Sequence, residues 1–293
     1  MGVARALARL RKMDATYELE GAIWFKSTEH GDEKDRVLVR ADGLPTYFLA
    51  DIAYHYHKYQ RGFEYAIDFW GPDHHGYIPR MQGAMEALGI GREWLEVQIL
   101  QHVTFLEGGR NIQMSKRRGQ FVTMDALIDD VGADVAKYIF LTRKPNSHLD
   151  FDLDLAREHS DVNPVMKVKY AHARICSLLA NASEAGIRVG DPTAESLAHL
   201  QEEAEWNLVR ELVRLPRVIE SAARSREPHR LTGYVDEIAG LYNQFWNQCK
   251  GILKQDEERR LAQLHLSLVT RRVIRVVLDL IGVDAPEFME KRD

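Results

Sequence analysis

The run Gln113-Met114-Ser115-Lys116-Arg117-Arg118-Gly119 sets a hydroxyl, a lysine and two arginines side by side, with Gly108 and Gly109 just upstream. A loop of this make-up can close over a polyphosphate and neutralise charge as it develops. A solvated basic turn is the plainer alternative. Further upstream, Gly71-Pro72-Asp73-His74-His75-Gly76 follows an apolar strand at the point where a helix begins, the usual ligand position in open α/β sheets. Asp73 there can accept hydrogen bonds from ribose hydroxyls, and His74 can bind a nucleotide or polarise phosphate. The bland expectation is that Asp73 caps the helix. A third reading joins Asp73, His74 and His75 with Asp152 and Asp154 as metal ligands, the chemistry of a metal-dependent phosphoesterase.

Tyr47 and Asp51 lie one helical turn apart and share a face, which is not the face of Phe48 and Ile52. A carboxylate beside a phenol ring suits a guanidinium, because the carboxylate accepts two parallel hydrogen bonds and the ring offers a cation–π surface. The same spacing also fits a surface tyrosine and an aspartate paired with Lys58 or Arg61. Further on, Tyr170, His172 and Arg174 lie near Lys167 and Lys169, and Tyr242 and Trp246 stand four apart. Aromatics beside basic groups can stack unpaired bases, although aromatic pairs at helical spacing are also core formers. Arg271 and Arg275 offer a short basic rail, or merely solvate their helix.

The elements that must position these groups are legible as pattern. Residues 19–26 and 35–41 suggest two short strands. A helix is expected over Thr46 to Gln60, with Phe48, Ile52 and Tyr56 as its buried stripe. A strand from Tyr65 to Trp70, a helix from Tyr77 to Leu88 and a strand from Glu96 to Phe105 make a parallel crossover of the doubly wound type. Helices follow at Met124 to Asp130 and Asp134 to Leu141, and a loop or strand at Leu149 to Asp154. From Pro164, well placed as a first-turn residue after Asn163, helical patterns run to Val283. In the last of them Ala262, Leu266, Val269, Val273, Val276 and Leu280 form one apolar face, with Gln263, Ser267, Arg271 and Arg275 off it. The fold class is thus α/β plus all-α, with domains expected at residues 1–160 and 161–293.

Composition sets outer bounds. The chain has 293 residues, 45% hydrophobic and 28% charged, enough for two domains with cores of their own. No window offers eighteen uncharged apolar residues, so no membrane span is expected. The basic start, Met1 to Met13, reads as a short amphipathic helix rather than a secretory signal. Two cysteines, Cys176 and Cys249, within helical patterns fit a reducing cytoplasm. A net charge of −5 neither advertises nor excludes nucleic acid, since local patches set the field. No GxGxxG, Walker loop, HExxH, GxSxG or CxxC occurs.

The ordered set of motifs resembles the arginyl-tRNA synthetases, a family of class I aminoacyl-tRNA synthetases. The resemblance is carried by residues 41–54 (ADGLPTYFLADIAY), 71–76, 114–119, 151–156 (FDLDLA), Asn163-Pro164, Tyr170-Ala171-His172-Ala173-Arg174-Ile175, and the closing Ile281-Gly282-Val283-Asp284-Ala285-Pro286 with Met289. It covers nearly all of the chain after about residue 15 and implies a partial Rossmann-like nucleotide-binding domain followed by an α-helical anticodon-binding bundle of the DALR type. It further implies that Tyr47 and Asp51 recognise arginine and that Gly71, Asp73, His74, Val103 and Met114 line ATP, which brings Mg2+. Ser115 and Lys116 would belong to the catalytic KMSKS loop, with Lys116 on pyrophosphate and Gln113 in place of that signature's first lysine. Tyr170, Trp246 and Met289 are the implied contacts to arginine tRNA, and the family requires tRNA for the first step. The HIGH signature has no counterpart here, so the expectation is the C-terminal half of such an enzyme, inactive alone and working with the missing N-terminal part. A stand-alone, non-catalytic tRNA-binding paralogue is the rival.

Overall fold

Gly43 sits in the left-handed region at φ +79°, which side chains resist, and so closes the turn in which the Arg40 amide donates to the Leu44 carbonyl at 3.0 Å. That turn ends one small sheet and launches the helix carrying Tyr47 and Asp51. The computed structural model describes residues 2–112 and 122–290. They form two units, one of Met1–His102 with Pro145–Ser147 and one of Val103–Lys144 with His148–Asp293.

The first unit opens with α1 (Gly2–Lys12), the amphipathic helix the composition suggested, burying Ala6 and Leu10. Strands β1 (Thr16–Leu19), β2 (Ala22–Phe25) and β3 (Arg36–Val39) form an antiparallel sheet in that order. The single strand expected at 19–26 is instead the second arm of a hairpin. Glu20 and Gly21 both have positive φ, +50° and +74°, and turn the chain in two residues. Helix α2 (Tyr47–Gln60) follows, then β4 (Ala66–Trp70), α3 (Ile78–Ala87) and β5 (Leu95–Ile99). β4 and β5 pair in parallel from Ala66↔Leu95 to Trp70↔Ile99, the crossover read from the sequence. Ala66 and Leu95 face the unit's core with Met81 and Met85 of α3. Ile67 and Phe69 point the other way and are exposed among the described residues.

The strand expected at 96–105 is two strands. After Ile99 the Leu100 amide donates to the Trp70 carbonyl and that of Gln101 to the Pro145 carbonyl, both at 2.8 Å, which turns the chain out of the ladder. β6 (Val103–Glu107) starts a new sheet, antiparallel to β7 (Arg110–Asn111) and parallel to β8 (Leu149–Asp152). The Phe151 ring packs tilted against Phe105 and Phe140 at centroid distances of 5.3 and 5.2 Å, and all three join the core of the helical unit. The spatial division therefore falls after His102, whereas the sequence pattern changes near residue 160.

Helices α4 (Met124–Val131), α5 (Ala133–Phe140) and α6 (Leu153–Arg157) belong to this second unit. They precede α7 (Pro164–Glu184), α8 (Ala194–Leu197), α9 (Glu203–Leu212), α10 (Leu215–Ser225), α11 (His229–Gln248) and α12 (Glu257–Leu280). α7 starts as expected: the buried Asn163 accepts the Val165 amide at 3.2 Å and donates to the carbonyls of Ala156 and Glu158. α12 departs from its expected single stripe. Gln263 and Ser267 are completely buried, while Val276 and Leu280 are about half exposed. α12 is surrounded on more than one side by α7, α8, α9 and α11, so polar partners decide what it buries. No helix among the described residues is long and apolar enough to cross a membrane.

Candidate functional site

Thr46 fixes the start of α2. Its hydroxyl accepts the Leu49 amide at 3.4 Å and donates to the Val37 carbonyl at 2.9 Å, tying the helix to β3. Phe48 and Ile52 then point into the core, and Tyr47, 88% exposed, and the exposed Asp51 face outward. The plainer pairing of Asp51 with Lys58 or Arg61 does not form. Lys58 bonds Asp68 at 3.2 Å and sits over the Tyr54 ring, and Arg61 stacks on Phe63. Asp51 instead accepts the Tyr77 hydroxyl at 3.1 Å.

Tyr77 was not singled out by sequence reasoning, although it directly follows the Gly71–Gly76 motif. Its ring meets Phe48 edge-on at 5.8 Å and Trp70 at 5.6 Å, and the Arg80 guanidinium lies 5.0 Å above it. Burial, then the Asp51 charge, push the phenol well above its ordinary range, so it remains a donor. Arg80 is itself committed, donating to Asp32 at 3.0 Å, where Arg36 makes a forked contact at 2.7 and 2.8 Å. Beneath the same helix, His55 is buried with Nδ1 2.8 Å from the Asp51 carbonyl and Nε2 2.6 Å from Asp68, joining α2 to β4. Burial would raise the Asp68 carboxyl, but His55 and Lys58 outweigh it and hold it below its usual range.

The segment after β4 is a 3-10 turn, Pro72–Tyr77, leading into α3. Asp73 does not cap it. Pro72 takes the first turn with its fixed φ, so the cap position falls on Gly71, and among the described residues no side chain caps the turn. Asp73 and His74 are left exposed, His74 edge-on to Trp70 at 6.5 Å. Asp152 and Asp154 have structural duties rather than forming a ligand pair: Asp152 accepts the amides of Asp154 and Leu155, and Asp154 that of Gly108 at 2.6 Å. Among the described residues no three His, Cys, Asp or Glu side chains converge to hold a metal, which removes the geometric support for the phosphoesterase reading. Val103 opens β6 in the second unit. Met114, Ser115 and Lys116 lie outside the described residues.

In the second unit, Tyr170 and Met289 line a groove of about 530 Å³ together with His159, Arg174, Ser177 and Phe288. Trp246 lines a second, also about 530 Å³, which shares Arg174 and Ser177 with the first and adds Asn181, Lys250 and Lys254. The Arg174 guanidinium lies 5.7 Å from the Trp246 ring centroid. Tyr242 and His172 are withdrawn from this surface. Tyr242 is core, its hydroxyl bonded to Ser267 at 3.3 Å, and His172 is buried with Nδ1 2.9 Å from the Pro286 carbonyl. Lys167 and Lys169 pair with Asp236 and Asp134.

Residues 168–289 match the family model of the DALR anticodon binding domain. Over 98% of its length the chain is 49% identical to an arginine–tRNA ligase of Moorella thermoacetica and 46% identical to that of Bacillus subtilis. The chain is homologous to the C-terminal half of the arginyl-tRNA synthetases. It spans about half the length of the curated relatives it matches, 51% in both cases, and corresponds to their C-terminal half. A Campylobacter jejuni structure assigned to the arginyl-tRNA synthetases superposes with a TM-score of 0.87 at 36% identity, covering 98% of this chain and 62% of that one. The Thermus thermophilus arginyl-tRNA synthetase shares the fold at a TM-score of 0.79 and 21% identity, over 98% of this chain and 58% of that one. Tyr170, Trp246 and Met289 all fall inside the residues matched to the DALR domain.

Proposed function

We propose that this chain supplies the arginine-binding and tRNA-binding parts of an arginine–tRNA ligase, which converts ATP, arginine and tRNA into arginyl-tRNA, AMP and pyrophosphate. The observation that carries the reading is the outward Tyr47–Asp51 face, with Asp51 engaged by a neutral hydroxyl and by no cation among the described residues. That leaves the carboxylate's charge for a guanidinium. Tyr47 supplies the ring beside it. The family resemblance assigns ATP, with its Mg2+, to Gly71, Asp73, His74, Val103 and Met114, and the departing pyrophosphate to Ser115 and Lys116. Such a site needs no covalent protein nucleophile, because alignment and charge neutralisation supply the rate. Residues 161–293 act as the anticodon-binding domain, with bases stacking at Tyr170 and Trp246 beside Arg174, and Met289 on the groove rim. Two free cysteines suit work in a reducing cytoplasm.

The 293 residues contain no His-x-Gly-His pattern, so the purified chain is expected to show no arginine-dependent ATP–pyrophosphate exchange, with or without tRNA. Exchange above background would overturn that assignment of roles. Arginine tRNA should nonetheless bind, with an affinity that falls steeply between two salt concentrations. Trp246→Ala should weaken binding about tenfold through the lost stacking platform, and anticodon substitution should do the same. Fluorescence anisotropy on labelled tRNA reads both. Binding indifferent to anticodon and to Trp246 would remove the helical unit from anticodon recognition.

A further inference from the structure

Asp51 stands on an exposed helix face, where a carboxylate ordinarily turns freely about its last torsion. Guanidinium recognition needs the opposite, since two parallel N–H···O bonds form only when the carboxylate plane is fixed in direction. Tyr77 is built to fix it. A phenol has two side-chain torsions, and this one is held by Phe48 at its edge, Trp70 at its side and Arg80 over its face. The guanidinium above it is turned towards Asp32, so Arg80 does not compete for Asp51. An ionised carboxylate has about four acceptor sites, of which one hydroxyl uses one, leaving room for a two-pronged ligand.

We propose that Tyr77 is a positioning residue for arginine: its hydroxyl, bonded to Asp51 at 3.1 Å, sets the plane in which the carboxylate meets the guanidinium. The inference rests on the reading of Asp51 as the arginine receptor. It also gives Asp51 a preorganised direction in the ligand-free chain, so less ordering is required on binding.

Tyr77→Phe removes the hydroxyl and keeps the ring packing. Calorimetric titration of the 293-residue chain with arginine and, separately, with ATP compares the wild type, Y77F and D51A. Y77F should bind arginine about tenfold more weakly, with ATP affinity unchanged, a split that general loosening of the fold would not give. Loss of arginine binding in D51A with none in Y77F would overturn the role of Tyr77 and keep the receptor. Arginine binding undiminished in D51A would overturn the receptor itself. A crystal structure of ligand-free Y77F supplies an arm that needs no arginine affinity at all. A carboxylate at residue 51 turned from its wild-type plane supports the proposal, and one left unmoved overturns it, also where the wild-type chain binds arginine too weakly to titrate.

Discussion

Glu205→Ala should lower the stability of the helical unit by about 3–5 kcal/mol, near the top of the range for single substitutions. Glu205 is fully buried at the start of α9. One carboxylate oxygen accepts the backbone amides of Gln201 and Glu202 at 2.6 and 2.8 Å, satisfying donors that a helix start leaves without partners. The other accepts the Gln263 side-chain amide of α12 at 2.7 Å and faces the Cys249 thiol at the end of α11 at 3.6 Å. Burial and the nearby Glu205 push that thiol up to about 12. Alanine removes the acceptor common to three helices and leaves the buried Gln263 amide and Cys249 thiol without it. Glu205→Gln keeps the volume and an acceptor oxygen but brings its own donors towards the same amides, so it should fall between wild type and alanine. Peptide-resolved hydrogen exchange separates the two units. Protection should drop in α9, α11 and α12, and a change of under 1 kcal/mol there would show that the network carries little.

This network was the part least legible in the sequence. Gln263 and Ser267 read as the solvated side of α12 because residue type was taken as a guide to exposure. Both are paid for by partners from other helices, Glu205 and Tyr242, 58 and 25 positions away. Local periodicity cannot report such distant partners. The same reason hid Tyr77, which reaches Asp51 across 26 residues. What could be read was local: the outward face shared by Tyr47 and Asp51, the parallel crossover of β4 and β5, and Asn163-Pro164 at the head of α7. The break at Leu100–His102 carries no glycine or proline to mark it. Two backbone hydrogen bonds, to Trp70 and Pro145, end the ladder there. The hairpin at Glu20-Gly21 lacked the asparagine or aspartate that usually marks a two-residue turn.

Asp32→Ala should destabilise the first unit by about 3 kcal/mol, because it strands two guanidinium groups that have little access to water. The Asp32 side chain is only 4% exposed, and Arg36 and Arg80 are each about one-fifth exposed. The forked contact from Arg36 holds the Asp32 carboxyl far below its ordinary range, against the effect of burial, with the Glu33 amide and Arg80 assisting. A carboxylate depressed in this way contributes stability that is present above its unfolded value, about 3.9, and lost as pH falls through the folded one. The advantage of wild type over D32A should therefore be full at neutral pH and shrink below about pH 4. Asp35 and Asp68, also held low, give both proteins an acid-side decline, so the difference between the two curves is the quantity to follow. Denaturant midpoints followed by hydrogen exchange in β3 and α3 measure it, and a gap that stays constant into strong acid would exclude the ion-pair account. The substitution also reaches the candidate arginine receptor. Arg80, released from Asp32 but still stacked on Tyr77, becomes a cation of the chain's own beside Asp51. D32A should then weaken arginine binding more than Y77F does, since an internal guanidinium would compete for the same carboxylate.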